Sequence, residues 1–318
     1  MSEEKKDQKM DLTRVISTAI QLPGVKVSRN DFLQEQFKDS SPEELSRILK
    51  DGPIMAGCSR DLLMRKANKI VTERTLFSTG ASFLAGLPGG IAMAATIPAD
   101  ILQFYGVALR MAQELVYLYG EQDMWCDGAI DPEKVTNQLI LYCGVMLGVV
   151  GAAQTVRLMS SALAKQALKK LPRLALTKTF YYPIIKSIVK FFGGSLTKNT
   201  FAKGVSKVVP VIGGVVSGGI TWVSMRPMGK RLATTLDKAH FDYSMHDIES
   251  DFHDISKFAN EEGSSITVDV PKLEGSVGTS ASTESPYDKL RKLKALYDDG
   301  IITSEEYADM KNRIFSQI

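Results

Sequence analysis

The sequence IPADILQFYGVALRMAQELVYLYG, at residues 97–120, predicts one long helix and indicates the class of the fold. Pro98 suits the first turn of a helix, Asp100 complements the positive end of the helix dipole, and Gly120 suits the position after the last turn. Apolar residues recur between them at the spacing of an amphipathic helix. They are Ile101, Phe104, Ala108, Met111, Leu115 and Leu118. We therefore expect an all-α protein.

Three uncharged, glycine-rich runs accompany this helix, at residues 75–99, 135–156 and 208–225. A transmembrane helix needs roughly 20 consecutive apolar residues, and each of these runs is either interrupted by glycine or proline or too short. We expect a glycine-rich helical core with apolar hairpins, because glycines four residues apart let two helices approach closely. The helix-packing candidates are Gly86, Gly90, Gly144, Gly148, Gly214 and Gly218.

The charge of the chain is concentrated in one segment. Residues 134–236 contain 15 lysines and arginines and no acidic residue, although the whole chain is only +3. Apolar surface beside cations attracts an anionic bilayer, at roughly 1 kcal/mol for each lysine or arginine near the lipid. The cations are dispersed among aliphatic residues, so an anionic membrane surface is the expected partner and nucleic acid is not. The lipid-binding candidates are Lys165, Lys169, Lys170, Arg173, Lys186 and Lys190.

Motifs of catalysis are missing: the sequence contains no GxSxG, P-loop, GxGxxG or HExxH pattern. We therefore expect a non-catalytic protein without a cofactor. The candidate residues for a cleft or a conformational site are Asp100, Arg110 and Glu114, of which the last two lie at i,i+4 on the long helix. Asp100 is either a functional carboxylate at the mouth of that cleft or a residue that only complements the helix dipole.

Three histidines cluster near residues 240–253. His246, Glu249 and His253 share a predicted helix face with Asp242, and such a set can hold zinc or iron. The same helix carries an apolar stripe at residues 241, 245, 248, 252 and 255, so the histidine face is equally explained as the solvated side. We predict no metal site.

Composition divides the chain into four parts. Residues 1–64 form an N-terminal helical leader, and residues 65–260 form the helical core. Residues 261–285 are polar and predict a disordered linker. Residues 286–318 predict a helical hairpin that is too small to fold alone, so we expect it to self-associate or to bind a protein partner.

Two parts of the sequence resemble known families. GLPGGIAMAATIPAD at residues 86–100 and VPVIGG at residues 209–214 resemble the motifs of the EcsC family over residues 65–240. LxxLxxLxxxGIITxEEY at residues 290–307 resembles SHOCT, the short C-terminal domain of bacterial proteins. The resemblance implies a bacterial protein, with a tail that serves oligomerisation or localisation, and it implies no established chemistry.

These features predict a cytoplasmic protein that associates peripherally with the inner face of the cell membrane. The N-terminus has no apolar signal segment, and the three cysteines form no CxxC motif. Two alternatives stay open. One is an enzyme of unknown reaction with its site near Asp100, Arg110 and Glu114, and the other is a pore-forming effector that inserts its glycine-rich hairpins.

Overall fold

A computed structural model describes residues 12–77, 97, 99–125, 132–170, 178–193 and 219–260, and its secondary structure in this part is helical. The all-α class is thereby confirmed. The helices of the described part are α1 Leu12–Ala19, α2 Arg29–Gln36, α3 Pro42–Asp51, α4 Arg60–Phe77, α5 Ala99–Leu118, α6 Pro132–Met146, α7 Ala152–Ser160, α8 Ala162–Lys170, α9 Lys178–Gly193, α10 Gly219–Phe241 and α11 Met245–Asn260.

Helix α5 has the bounds that the pattern of residues 97–120 predicts. Gly120 follows its last turn at φ 93°, a conformation that glycine adopts without steric cost. The N–H of Gly120 donates to the carbonyl of Tyr117 at 3.0 Å, and the N–H of Glu121 donates to that of Val116 at 3.0 Å. Two carbonyls that would otherwise lack partners at the helix end are thus satisfied.

Helix α5 is buried on nearly every side. Even its polar residues Gln113 and Glu114 are only 0% and 1% exposed. Helices α1, α4, α6 and α10 all pack against α5. The amphipathic pattern predicted one apolar and one polar, solvated face, but both faces are covered by other helices. Helix α5 lies at the centre of the core.

Helix α10 is the second central element, packed against α4, α5, α6 and α7. Gly229 allows this close approach: a Cβ there would lie 2.8 Å from Met111 Sδ and 2.8 Å from Val71 Cγ2. Both distances are too short for ordinary van der Waals contact, so a side chain at this position would push α10 away from α4 and α5.

The uncharged run at residues 135–156 is divided by a turn between α6 and α7. Gly148 and Gly151 lie in this turn at φ 73° and 85°. The prediction that Gly148 belongs to a helix-packing ladder is wrong, because Gly148 ends α6 in a left-handed conformation. Gly144 does lie at a helix contact: a Cβ there would come within 2.5 Å of Ile188 Cδ1 on α9.

The N-terminal helices share one hydrophobic cluster with the rest of the described part. Leu12, Val15 and Ile16 of α1 are fully buried, and α1 packs against α5. Helix α4 runs through residue 64, where the sequence places a domain boundary. The start of α3 is capped by Ser41, whose side chain accepts a hydrogen bond from the Glu44 N–H at 3.2 Å.

All described residues belong to a unit of the chain formed by residues 1–211 and 215–270; a second unit, residues 212–214 and 271–318, lies outside the described residues. No helix of the described part is long and apolar enough to span a bilayer. At Asp100, Lys169 and Lys170 the structure describes the helical backbone but not the side chain. Other predictions concern residues outside the described part: Gly86, Gly90, Arg173, Gly214, Gly218, the linker 261–285 and the hairpin 286–318.

Candidate functional site

Glu114, one of the predicted cleft residues, is the centre of a buried ion cluster. Its two carboxylate oxygens accept from Arg74 Nε at 2.6 Å and from an Arg74 terminal nitrogen at 2.7 Å. Arg110 Nε donates to the same carboxylate at 3.0 Å, so the predicted i,i+4 contact is present. Arg110 also donates to the carbonyl of Gly24 at 2.6 Å. The cluster joins α4, α5 and the loop after α1.

The structure does not bring Asp100 to this cluster. Asp100 lies in the first turn of α5, and ten residues of helix separate it from Arg110 by about 15 Å along the axis. Both oxygens of Glu114 accept hydrogen bonds from Arg74, and Arg110 donates to one of them, so the carboxylate is paired within the protein. The arrangement is that of a structural ion cluster, which joins parts of the chain that are distant in sequence.

Gln113, beside Glu114, is a buried connector that the sequence does not reveal. Its side-chain oxygen accepts from the Val27 N–H at 3.1 Å and from Trp125 Nε1 at 2.8 Å. Its side-chain nitrogen donates to the carbonyls of Val25 and Leu109, each at 2.9 Å. Since all these groups are paired, Gln113 fixes the loop after α1 against the segment after α5.

A cavity of about 220 Å³ lies between α6, α7 and α8. Eight residues line it, four of them apolar and four polar. The apolar residues are Leu141, Tyr142, Val156 and Met159, and the polar residues are Glu121, Gln138, Ser160 and Lys165. Of these eight, the sequence pointed only to Lys165, as a lipid-binding candidate. The other polar residues come from three separate elements, so no local motif could reveal that they meet.

His240, near the end of α10, stacks on Tyr119. The ring centroids are 6.1 Å apart and the ring planes differ by 13°. The pKa of His240 is lowered to about 4, first by burial and then by the positive charge of Lys165, while Asp237 acts in the opposite direction. The imidazole is therefore neutral at pH 7, and its Nε2 is buried without a hydrogen-bond partner among the described residues.

Helix α9 presents a face that combines cations with an aromatic ring. Tyr182, Lys186 and Lys190 follow one another at intervals of four residues and are all exposed. The Lys186 Nζ lies 5.4 Å from the centroid of the Tyr182 ring. Ile184 and Ile188 are fully buried on the other side of the helix. Lys165, the other predicted lipid-binding residue with a described side chain, is exposed on α8.

The metal-ligand candidates His246, Glu249 and His253 are exposed side chains of α11. Asp242, which the sequence places on the same face, lies in the connection between α10 and α11 and forms an ion pair with Arg60. That connection interrupts the apolar stripe predicted from residue 241 onward. Within the described ranges, no group of three or more histidine, cysteine or acidic side chains is arranged to hold a metal ion.

The described part of the chain therefore belongs to the class of all-α proteins, with a paired carboxylate at its centre and a small mixed cavity. The C-terminus carries a SHOCT domain: residues 288–314 match the family model described as the short C-terminal domain. This match confirms the resemblance of residues 290–307. No curated protein and no solved structure matches the chain.

Proposed function

We propose that this protein binds anionic membrane surfaces peripherally, and that it acts there without catalysing a reaction. The observation that carries the proposal is the face of α9 formed by Tyr182, Lys186 and Lys190. A tyrosine ring with a polar end is suited to the boundary between lipid and water. Lysines beside it attract anionic headgroups, each by about 1 kcal/mol, while their stems lie along apolar surface.

The charge around this face limits how strongly it would bind. Helix α11 packs against α9 and carries the exposed acids Glu249 and Asp254. The negative charge of these acids weakens the electric field of the lysines at a distance. The attraction between α9 and anionic lipid is therefore effective only when α9 lies close to the membrane surface. Such an attraction is screened within about 10 Å at 0.1 M salt. Binding should therefore be weak for a single copy and sensitive to salt.

The SHOCT domain supplies the second half of the proposal. Self-association through residues 288–314 would place several α9 faces on one membrane, and linked weak sites bind far more tightly than single ones. The resemblance of residues 65–240 to the EcsC family supports a bacterial origin and a location at the inner face of the cell membrane. A protein partner of the tail would serve the same purpose by anchoring the core at a particular place.

Vesicle flotation tests the proposal. Full-length protein is mixed with phosphatidylcholine vesicles that contain increasing fractions of phosphatidylglycerol, at low and at high salt. We expect flotation to rise with phosphatidylglycerol and to fall with salt. The double variant Lys186→Glu/Lys190→Glu should float about tenfold less, since two attractive charges become repulsive.

The matched control reverses two exposed lysines on other helices, Lys50→Glu/Lys230→Glu. This control has the same net charge as the α9 variant, so a general loss of positive charge would affect both equally. Equal flotation of the two variants would refute the role of α9. Undiminished flotation on pure phosphatidylcholine at high salt would refute the electrostatic attraction itself.

A further inference from the structure

The cavity between α6, α7 and α8 brings together polar side chains that have no partner in the described part of the chain. Glu121 follows α5, Gln138 lies on α6, Ser160 ends α7 and Lys165 lies on α8. None of these four side chains forms a hydrogen bond or an ion pair with another described residue. Ser160 is buried, Glu121 and Gln138 are half-buried and Lys165 is exposed, so their polar groups can be reached by a ligand that enters the cavity.

Glu121 and Lys165 carry opposite charges and line the same cavity without forming an ion pair. A ligand with a single negative charge would be attracted by Lys165 but repelled by Glu121. A ligand with a single positive charge would be attracted by Glu121 but repelled by Lys165. A molecule that carries both charges satisfies both residues at once. The amide of Gln138 and the hydroxyl of Ser160 add hydrogen-bond donors near the polar groups.

The remaining lining limits the size and character of the ligand. Leu141, Tyr142, Val156 and Met159 form the apolar half. The volume of about 220 Å³ is below the roughly 300–1,000 Å³ of sites for drug-sized molecules. A molecule that fits must therefore be small, and it gains from a short apolar part.

Hydrogen bonds fix the backbone at two of the four polar residues before any ligand arrives. The N–H of Glu121 is bound to the carbonyl of Val116, and its own carbonyl accepts from Arg29 Nε at 3.0 Å. Lys165 lies in the first turn of α8, where its N–H donates to the carbonyl of Ser161 at 3.0 Å. With the backbone fixed, only the side chains of these two residues lose freedom when a ligand binds.

We propose that this cavity binds a small amphipathic zwitterion, with an ammonium group at Glu121 and a carboxylate or phosphate at Lys165. The site is separate from the α9 face on which the membrane proposal rests, since none of its lining residues lies on α9. The ammonium group donates to the Glu121 carboxylate, and the oxyanion accepts from Lys165 together with Gln138 or Ser160.

Calorimetric titration of the full-length protein, without lipid, tests this site. L-leucine and O-phosphoethanolamine are the two zwitterionic probes, and isopentylamine and ethanolamine are the matching amines without an anionic group. We expect at least one zwitterion to bind at least about tenfold more tightly than its amine, because the amine forfeits the charge-assisted hydrogen bonds at Lys165. Binding of L-leucine would identify a carboxylate ligand, and binding of O-phosphoethanolamine a phosphate ligand.

Variants connect the binding to the named residues. Glu121→Gln and Lys165→Met should each weaken the binding of the zwitterion about tenfold to a hundredfold. Lys186→Met on α9 is the control and should leave this binding unchanged while it lowers vesicle flotation. If either cavity variant fails to fold, Met159→Trp fills the cavity without removing a charge and should abolish binding of the zwitterion. Absence of binding for both zwitterions, or equal binding by wild type and folded cavity variants, would overturn the proposal.

Discussion

Arg157 and Asp251 form a two-bonded ion pair between α7 and α11. Arg157 Nε donates to Asp251 Oδ2 at 2.8 Å, and a terminal nitrogen of Arg157 donates to Oδ1 at 2.7 Å. The Tyr243 hydroxyl donates to the same Oδ2 at 2.7 Å. Arg157 belongs to residues 134–236, which contain no acid, so its counter-charge comes from the acidic segment that follows. The hydrogen bonds to Asp251 hold the pKa of Arg157 above its usual range against the opposing effect of burial.

Asp251→Asn should lower the free energy of unfolding by about 3 kcal/mol, because it leaves a largely buried guanidinium without its counter-charge. Urea denaturation at pH 7 measures the effect. Asp254→Asn, an exposed position of the same helix, should change little. The double variant Arg157→Met/Asp251→Leu should recover much of the loss, since two apolar groups need no charge compensation. A double variant no more stable than Asp251→Asn would contradict this explanation.

Glu114→Gln should also destabilise the protein by about 3 kcal/mol, because Arg74 and Arg110 would share a neutral group in a buried site. Glu73→Gln is the matched control on α4. Its contact with Lys69, at 3.7 Å, is exposed and should contribute no more than about 1 kcal/mol. Similar melting curves for the two variants would show that the ion cluster does not hold α4 to α5.

Gly144→Ala should destabilise the protein by about 2 kcal/mol, because the added methyl group overlaps Ile188 Cδ1 and forces α6 away from α9. This clash outweighs the gain of up to about 1 kcal/mol in helix propensity. Ile188→Val removes the overlapping atom at a cost of about 1 kcal/mol. In the double variant the two losses should therefore not add, and strictly additive losses in urea denaturation would refute the contact.

His240 should make stability depend on pH below neutrality. Its pKa is lowered from 6.5 to about 4 in the folded protein, so the unfolded state takes up the proton first. The neutral ring contributes to the free energy of unfolding. This contribution is fully present above pH 6.5, falls as the pH drops, and is lost below about pH 4. The loss amounts to about 3 kcal/mol.

The measurement compares wild type with His240→Phe, which keeps a ring beside Tyr119 but has no titrating group. The difference in unfolding free energy between pH 7 and pH 4.5 should be smaller in the variant. The exposed His246→Phe serves as the control and should follow the wild type. If His240→Phe also follows the wild type, His240 is not the group that titrates.

Deletion of residues 286–318 should leave the core folded but change its assembly. The sequence predicts a short helical hairpin there, which would have too few apolar residues to be stable alone, so we expect another copy or a partner to cover its apolar side. Light scattering should give a smaller particle for the truncated protein, while its circular dichroism keeps the helical signal. Loss of that signal would mean instead that the tail supports the core.

The parts of the structure that sequence could predict are those encoded by neighbouring residues. The bounds of α5 follow from its apolar period and from Gly120, and the start of α3 follows from Ser41 and Pro42. The division between α6 and α7 could not be found in the same way. Nearly every residue from 135 to 156 is apolar or small, so no polar residue marks where the helical period stops.

The surroundings of the candidate site residues could not be predicted, for a different reason. Arg110 and Glu114 lie four residues apart, and their contact is a property of any helix. The partner that decides the role of Glu114 is Arg74, which is 40 residues away and is brought close only by the packing of α4 on α5. The same holds for Glu121 and Lys165, which meet at the cavity although the sequence separates them widely.

The ion pair between Arg157 and Asp251 also governs how this protein can be divided for experiments. A fragment limited to residues 134–236 would have a net charge of +15 and would lack the carboxylate that neutralises Arg157. Such a fragment would adhere to any polyanion, including nucleic acid and column resins, whatever the intact protein binds. Molecules that co-purify with this fragment would bind because the acidic segment is missing, and they would not identify ligands of the whole chain.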